Sequence, residues 1–290
     1  MLRSSLALIA LCLFFLSANL SPLAAQEKAP TPEKSPTKEK AQDKVPEKAQ
    51  EKAPGDKSPT AEQIAESVDF MYGIRAVLDQ IRRNGVERGR ITRLTSEGKT
   101  EELSYERRFI RGADFTKDKV RMDQKMPSME YSLIYGDGRL WGLINGSAFT
   151  PRQDTVDNFM AQFWHSIDAL LRYKENGSTI TYVDKDKQKG LDLYVVDLTD
   201  KENRQTRYYI STKSLHVLWL EYQDSSTGIP IKYTRTFHDY RATQNTLVPY
   251  RSVLLADNKQ IQETRILNVT FGLKLEDSLF QNPEAQAANP

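Results

Sequence analysis

The sequence has one cysteine, Cys12, and three histidines, His165, His216 and His238. Cys12 lies inside an apolar run over residues 6–20, so removal of that run leaves no thiol; disulfides, thiolate metal sites and cysteine nucleophiles are then excluded. The histidines have no partner at a zinc spacing such as HExxH, and GxSxG, the P-loop and a GxGxxG after a strand are missing as well. Charge of one sign is also missing. With 41 basic and 39 acidic residues, a formal net charge of +2 gives no strong hold on a polyanion, which argues against nucleic acid. The apolar run is shorter than the ~20 residues that a spanning helix needs.

What is present begins with an export signal. Arg3 gives a basic start, residues 6–20 the apolar stretch, and Leu23-Ala24-Ala25 a small-residue cleavage site before Gln26. Residues 1–25 therefore read as a signal peptide cleaved near Ala25, sending the chain to the periplasm. Leu11 stands where a lipoprotein signal needs a small residue, so lipid attachment at Cys12 is not expected. Residues 26–59 repeat Glu-Lys and Asp-Lys pairs between prolines, and Val45 is their only large apolar residue. Such a segment cannot bury enough surface to offset the entropy of ordering, and it reads as a disordered linker with a reach on the order of 100 Å when extended. Residues 284–290 read as a flexible tail.

Residues 60–283 are long enough for one domain. Thr60-Ala61-Glu62-Gln63 fits a capping box, and Ile64, Val68, Met71, Ile74, Leu78 and Ile81 recur at helical spacing up to Arg82-Arg83-Asn84-Gly85. Strands are expected over 86–95, 101–111, 115–126, 131–136 and 139–144, with Asp137-Gly138 as a hairpin turn. A second helix, capped by Asp154 or Thr155, carries Val156, Phe159, Met160, Phe163, Trp164, Ile167, Leu170 and Leu171 on one face, with Ala161, His165, Asp168 and Arg172 on the polar side. Strands resume over 178–184, 191–199, 205–211, 215–223, 229–240, 247–256 and 261–271. The expected class is α+β: an antiparallel sheet long enough to curl into an incomplete β-barrel, with amphipathic helices as a lid on its concave side.

The helix-strands-helix-strands order, together with Asp239-Tyr240, Leu247-Val248-Pro249, Asn268 and the closing Asp277-Ser278-Leu279-Phe280 before Pro283, resembles the LolA-like periplasmic carriers that sort outer-membrane lipoproteins. The resemblance implies a half-barrel whose apolar cavity holds lipid or lipoprotein acyl chains, with envelope membrane proteins as further partners. It also implies an arginine of the early strands that holds the lid closed, for which Arg90, Arg93, Arg107 and Arg108 are available.

Candidate cavity-lining residues are Tyr105, Phe109, Leu133, Trp141, Phe163, Trp164, Trp219 and Phe237, each of which has plain core packing as its simpler reading. No catalytic residue, metal or cofactor is expected. His238 and Asp239 are adjacent and so point to opposite faces of a strand. Asp184 and Asp186 sit among Lys185, Lys187 and Lys189, as at a solvated hairpin end. Asn145, Asn176 and Asn268 begin Asn-x-Ser/Thr triplets, which turn formation explains for the first two. The alternative to a carrier is a noncatalytic envelope module that binds or senses a protein partner with the same curved sheet.

Overall fold

A computed structural model describes residues 58–95, 97–126, 128–224 and 228–282. The signal segment, nearly all of the linker and the 284–290 tail lie outside the described residues. The chain forms α1 (Ala61–Gly73), α2 (Arg75–Ile81), β1 (Asn84–Leu94), β2 (Thr100–Ile110), β3 (Lys119–Met126), β4 (Met129–Gly136), β5 (Arg139–Ile144) and β6 (Ser147–Phe149). Two helices follow, α3 (Gln153–Trp164) and α4 (Ile167–Leu171). The second set of strands is β7 (Thr179–Gln188), β8 (Leu191–Thr199), β9 (Gln205–Ser211), β10 (Val217–Asp224), β11 (Ile231–Thr243), β12 (Thr246–Ala256) and β13 (Lys259–Phe271). Single 3-10 turns occur at Phe115–Lys117 and Asp277–Phe280.

All thirteen strands belong to one antiparallel sheet in the order β6-β5-β4-β3-β2-β1-β13-β12-β11-β10-β9-β8-β7. It consists of two meanders joined where the first strand pairs with the last, Gly85 opposite Phe271. The sheet stays open, with β6 and β7 as its edges. The chain must therefore pass from one edge to the other between β6 and β7. α3 packs on strands of the first meander and α4 on strands of the second, so the link crosses the inner face of the curled sheet.

Sequence devices set that curl. Register shifts at Arg88/Gly89, Tyr182/Asp184, Val217/Trp219 and Leu254/Leu255 are bulges that add twist and bend the strand. At Gly89 a Cβ would come within 2.2 Å of the Arg265 carbonyl oxygen and 2.7 Å of the Tyr105 ring, so only glycine lets Tyr105 lie across β1. Asp137 and Gly138 have φ of 50° and 73°, the left-handed pair of a type I′ hairpin.

The outer face carries ion pairs, among them Arg88 with Glu106, Arg108 with Asp123 and Arg251 with Glu263. One apolar region of it is closed by the Asp277–Phe280 turn, where Phe280 packs on Ile134, Leu143 and Trp141. Among the described residues the inner face has three buried clusters, two of which reach the helices. One joins α1 and α4 to β8–β11 through Ile64, Val68, Tyr72, Leu170, Tyr208 and Leu220. The other joins α3 to β2–β4 through Phe109, Leu133, Tyr135, Phe159 and Phe163.

Both expected helices are broken. The capping box of Thr60 and Gln63 forms, but α1 ends at Gly73, whose φ of 139° lets the chain pass close to Asn245. The next residue, Ile74, has a φ of 47°, and the apolar stripe does not continue in phase: Met71 and Ile74 are exposed, while Tyr72 is buried. The second break falls at His165-Ser166. There the Ser166 hydroxyl donates to the Phe163 carbonyl at 2.8 Å and accepts from the Ala169 amide at 3.0 Å, which caps α4 and turns it relative to α3. Arg152, rather than Asp154 or Thr155, is the N-cap of α3.

Candidate ligand cavity

Strand alternation points Tyr105, Arg107 and Phe109 of β2 and Val120 and Met122 of β3 inward, facing Arg235 and Phe237 of β11 and Val248 and Leu254 of β12. Phe159, Phe163, Ile167 and Asp168 of the helices close the space above them. The result is a cavity of about 230 Å³ between the inner face and the helices. A second, open groove beside α1 is lined by Glu66, Asp69, Phe70, Ile74, Lys174 and Glu175. The first is the better walled of the two, with the sheet on one side and the helices on the other, and it is the candidate site for an apolar ligand.

One end of this cavity is charged. Asp168 pairs with Arg111 at 2.5 Å and with Arg82 at 3.4 Å, tying α4 to the end of β2 and to the residue after α2. Burial opposes ionisation of Asp168, but the guanidiniums of Arg111, Arg82 and Arg107 outweigh it and hold the carboxyl well below the usual range. Burial likewise pushes the Arg82 guanidinium down to about 10, with Asp168 opposing the shift. A second tie is bidentate and more deeply buried: Arg172 donates to Asp118 at 2.8 and 3.1 Å and also to the Gly112 carbonyl. The Tyr105 hydroxyl donates to Glu87 at 2.8 Å; burial first, and that carboxylate second, raise its pKa strongly.

Of the eight residues expected to line a cavity, the structure brings together Tyr105, Phe109, Phe163 and Phe237. Leu133 faces inward but lies behind the wall, among Phe109, Phe159 and Phe163. Trp164 packs at the edge of that cluster with the Arg204 guanidinium 3.6 Å from its ring centroid, away from the cavity. Trp141 and Trp219 lie on the outer face. Trp141 is the register partner of Ile134 and meets Phe280, whereas Trp219 stacks on Tyr209 with centroids 4.6 Å apart. The bulge between Val217 and Trp219 is the cause for the latter, since one extra residue reverses the alternation after Val217.

The arginines that tie helix to sheet are Arg82, Arg111 and Arg172. None of the four named from the early strands does so: Arg90 and Arg93 pair with Glu102 and Glu101, Arg108 with Glu106 and Asp123, and Arg107 faces the cavity over the Phe109 ring. Asp168, expected on a polar helix face, is the carboxylate shared by Arg82 and Arg111 at the charged end of the cavity. His165, expected beside it, is 5% exposed, with Nδ1 2.6 Å from Thr206 Oγ1. His216 lies against Tyr240 and His238 beside Thr236, so the three imidazoles are in separate places. Among the described residues no three His, Cys, Asp or Glu side chains form a metal-binding group, and no helix is long and apolar enough to cross a membrane.

Three solved structures share this arrangement of sheet and helices. A LolA superfamily protein from Nitrosomonas europaea superposes with a TM-score of 0.55 at 10% identity, covering 78% of this chain and 100% of its own. The fold is LolA-like. A DUF1329 family protein from Desulfovibrio piger gives a TM-score of 0.56 at 11% identity, over 77% of this chain and 98% of that one. A domain described as an outer membrane lipoprotein-sorting protein, from Vibrio parahaemolyticus, gives 0.50 at 12% identity over 75% and 94%. No protein-family model matches the sequence, and no curated protein is similar to it. The LolA-like assignment thus rests on shape, at identities where shape alone is comparable.

Proposed function

We propose that this chain is an exported, noncatalytic binding protein of the bacterial envelope, which carries an acyl chain of a lipid or lipoprotein between the inner face of its LolA-like sheet and the helices. The observation that carries this reading is the cavity between sheet and helices, lined by Tyr105, Phe109, Phe163 and Phe237. Each buried CH₂ contributes about 0.8 kcal/mol, so a lipid tail leaves a membrane only when an apolar surface replaces it. The Vibrio domain, described as lipoprotein-sorting, supports the same cargo class.

The cavity is small for that cargo. About 230 Å³ is less than the ~300–1,000 Å³ of drug-sized ligand pockets, so a full acyl chain requires α3 and α4 to move outward. Displacement exchanges burial of Phe159, Phe163 and Ile167 against the sheet for their burial against the ligand, which keeps the two states close in energy. The Arg82–Asp168, Arg111–Asp168 and Arg172–Asp118 pairs set the cost of opening. Native mass spectrometry of protein purified from the cell envelope tests the reading: lipid released only on denaturation is the expected result, and a preparation without bound lipid that takes up none from vesicles counts against it.

One observation favours a protein-partner module instead. At the α1–α2 corner, Phe70 is 69% exposed and Ile74 52%, with Met71 beside them. Phe70→Ser with Met71→Ser would abolish a cross-linked partner under that reading and leave lipid content unchanged.

A further inference from the structure

Four arginines line the cavity, Arg82, Arg107, Arg111 and Arg235, against three carboxylates, and one of those, Asp118, is already held by Arg172. Glu87 accepts from Tyr105. Asp168 is left to face both Arg82 and Arg111. Arg107 and Arg235 have no ion-pair partner among the described residues, Arg107 resting only on the Phe109 ring. Positive charge is therefore in excess in a space whose other walls are aromatic and aliphatic. Arg82 adds an independent sign: its Nε and Nη1 are buried and without a hydrogen-bond partner, although the side chain is only 11% exposed. A buried guanidinium with two unsatisfied donors is poorly matched to the protein groups around it. An oxyanion admitted as the helices shift would satisfy them, since the guanidinium fork fits carboxylate and phosphate oxygens in pairs.

We propose that the cavity takes a single-chain amphiphile whose oxyanion head, carboxylate or phosphate monoester, is bound by Arg82, Arg107 and Arg111 while its tail lies along Phe109, Phe163 and Phe237. This rests on the carrier reading of the same cavity and adds a head group to the acyl chain. The polar end also gives the ligand a direction. With its head beside Arg82, Arg107 and Arg111 and its tail between the two sheet walls, the ligand brings its anion to three of the four arginines that line the cavity.

Calorimetric titration of the full chain with dodecanoate, dodecyl phosphate, 1-dodecanol and inorganic phosphate tests this. The expected result is that at least one of the two anionic chains binds about tenfold or more tightly than dodecanol. The preferred one names the head. Arg107→Gln should narrow that ratio to about threefold or less, and Arg90→Gln, on the far face, should preserve it. Arg82→Gln disturbs a buried ion pair and can fail to fold, which is why Arg107, with no such pair, is the deciding variant. Equal affinity for the anionic chains and dodecanol overturns the head site and leaves the acyl cavity standing. Inorganic phosphate binding as tightly as dodecyl phosphate overturns the amphiphile, because the tail would then contribute nothing. If no chain binds, dodecanol included, the carrier reading itself falls and the head site with it.

Discussion

His165 lies flat on Tyr222, with ring centroids 3.8 Å apart and planes 4° from parallel. The stack sits between the end of α3 and the inner face of the sheet, and it fixes where the helical link bends.

Protonation of that imidazole should loosen the link. Burial, and then Arg235 and Arg204, push the His165 pKa down to about 3, while in the unfolded chain it returns to ~6.5. The unfolded state therefore binds the proton first. Stability from this residue is complete above ~6.5 and is lost as pH falls towards about 3, at up to about 1.4 kcal/mol per pH unit. Urea unfolding at about pH 7.5 and about pH 5 should differ by roughly 2 kcal/mol from this source, and His165→Gln should remove the difference.

Asp168→Asn leaves Arg82 and Arg111 facing each other without a counter-charge. Removing one partner of a buried pair costs about 3–5 kcal/mol; since the Asp168 side chain is 24% exposed at the cavity edge, a loss near 2–3 kcal/mol is expected by denaturant unfolding. Hydrogen exchange should show α4 amides opening more than those of β8. Equal protection in both elements would mean that the pair does not hold the lid.

Phe163→Ala and Trp219→Ala separate cavity from outer face. Phe163→Ala should cost about 3 kcal/mol of stability and change acyl-chain affinity, because this ring is a cavity wall. Trp219→Ala should lose stability through the Tyr209 stack and leave the affinity unaltered. Altered acyl binding in Trp219→Ala would sink the placement of the site on the inner face.

Ile74→Gly should stabilise the protein by about 1 kcal/mol. A β-branched residue at φ 47° is strained, and its side chain is 52% exposed, so little packing is lost with it. A lower melting temperature would show that Ile74 makes a contact that outweighs the strain.

Most of the architecture was legible in the sequence because period-two alternation and turn residues survive in every long strand. The strands read over 191–199 and 205–211 coincide with β8 and β9, and only the three-residue β6 escaped. The helix breaks were not legible. Gly73 is tolerated inside a helix, and its role here comes from a distant backbone at Asn245; Ser166 caps a helix of five residues, too short for periodicity to register. The site was half legible for a related reason. Alternation places Tyr105, Phe109 and Phe237, but the Val217/Trp219 bulge reverses Trp219, and the phase change at Ser166 carries Asp168 from a presumed wet face into the cavity. A carboxylate beside arginines of other elements has no local pattern; only the folded chain brings Arg82, Arg111 and Asp168 together.

The seam between β1 and β13 puts the order of synthesis at odds with the order of the sheet. Gly85 emerges early and waits for Phe271, nearly the whole domain later, so the centre of the sheet is the last thing that can form. Folding dominated by such distant pairings is slow, and until it completes β1 shows an unpaired backbone edge to its surroundings. A chain cut short before β13 would keep that edge permanently, and would be expected to aggregate rather than to persist as a smaller domain.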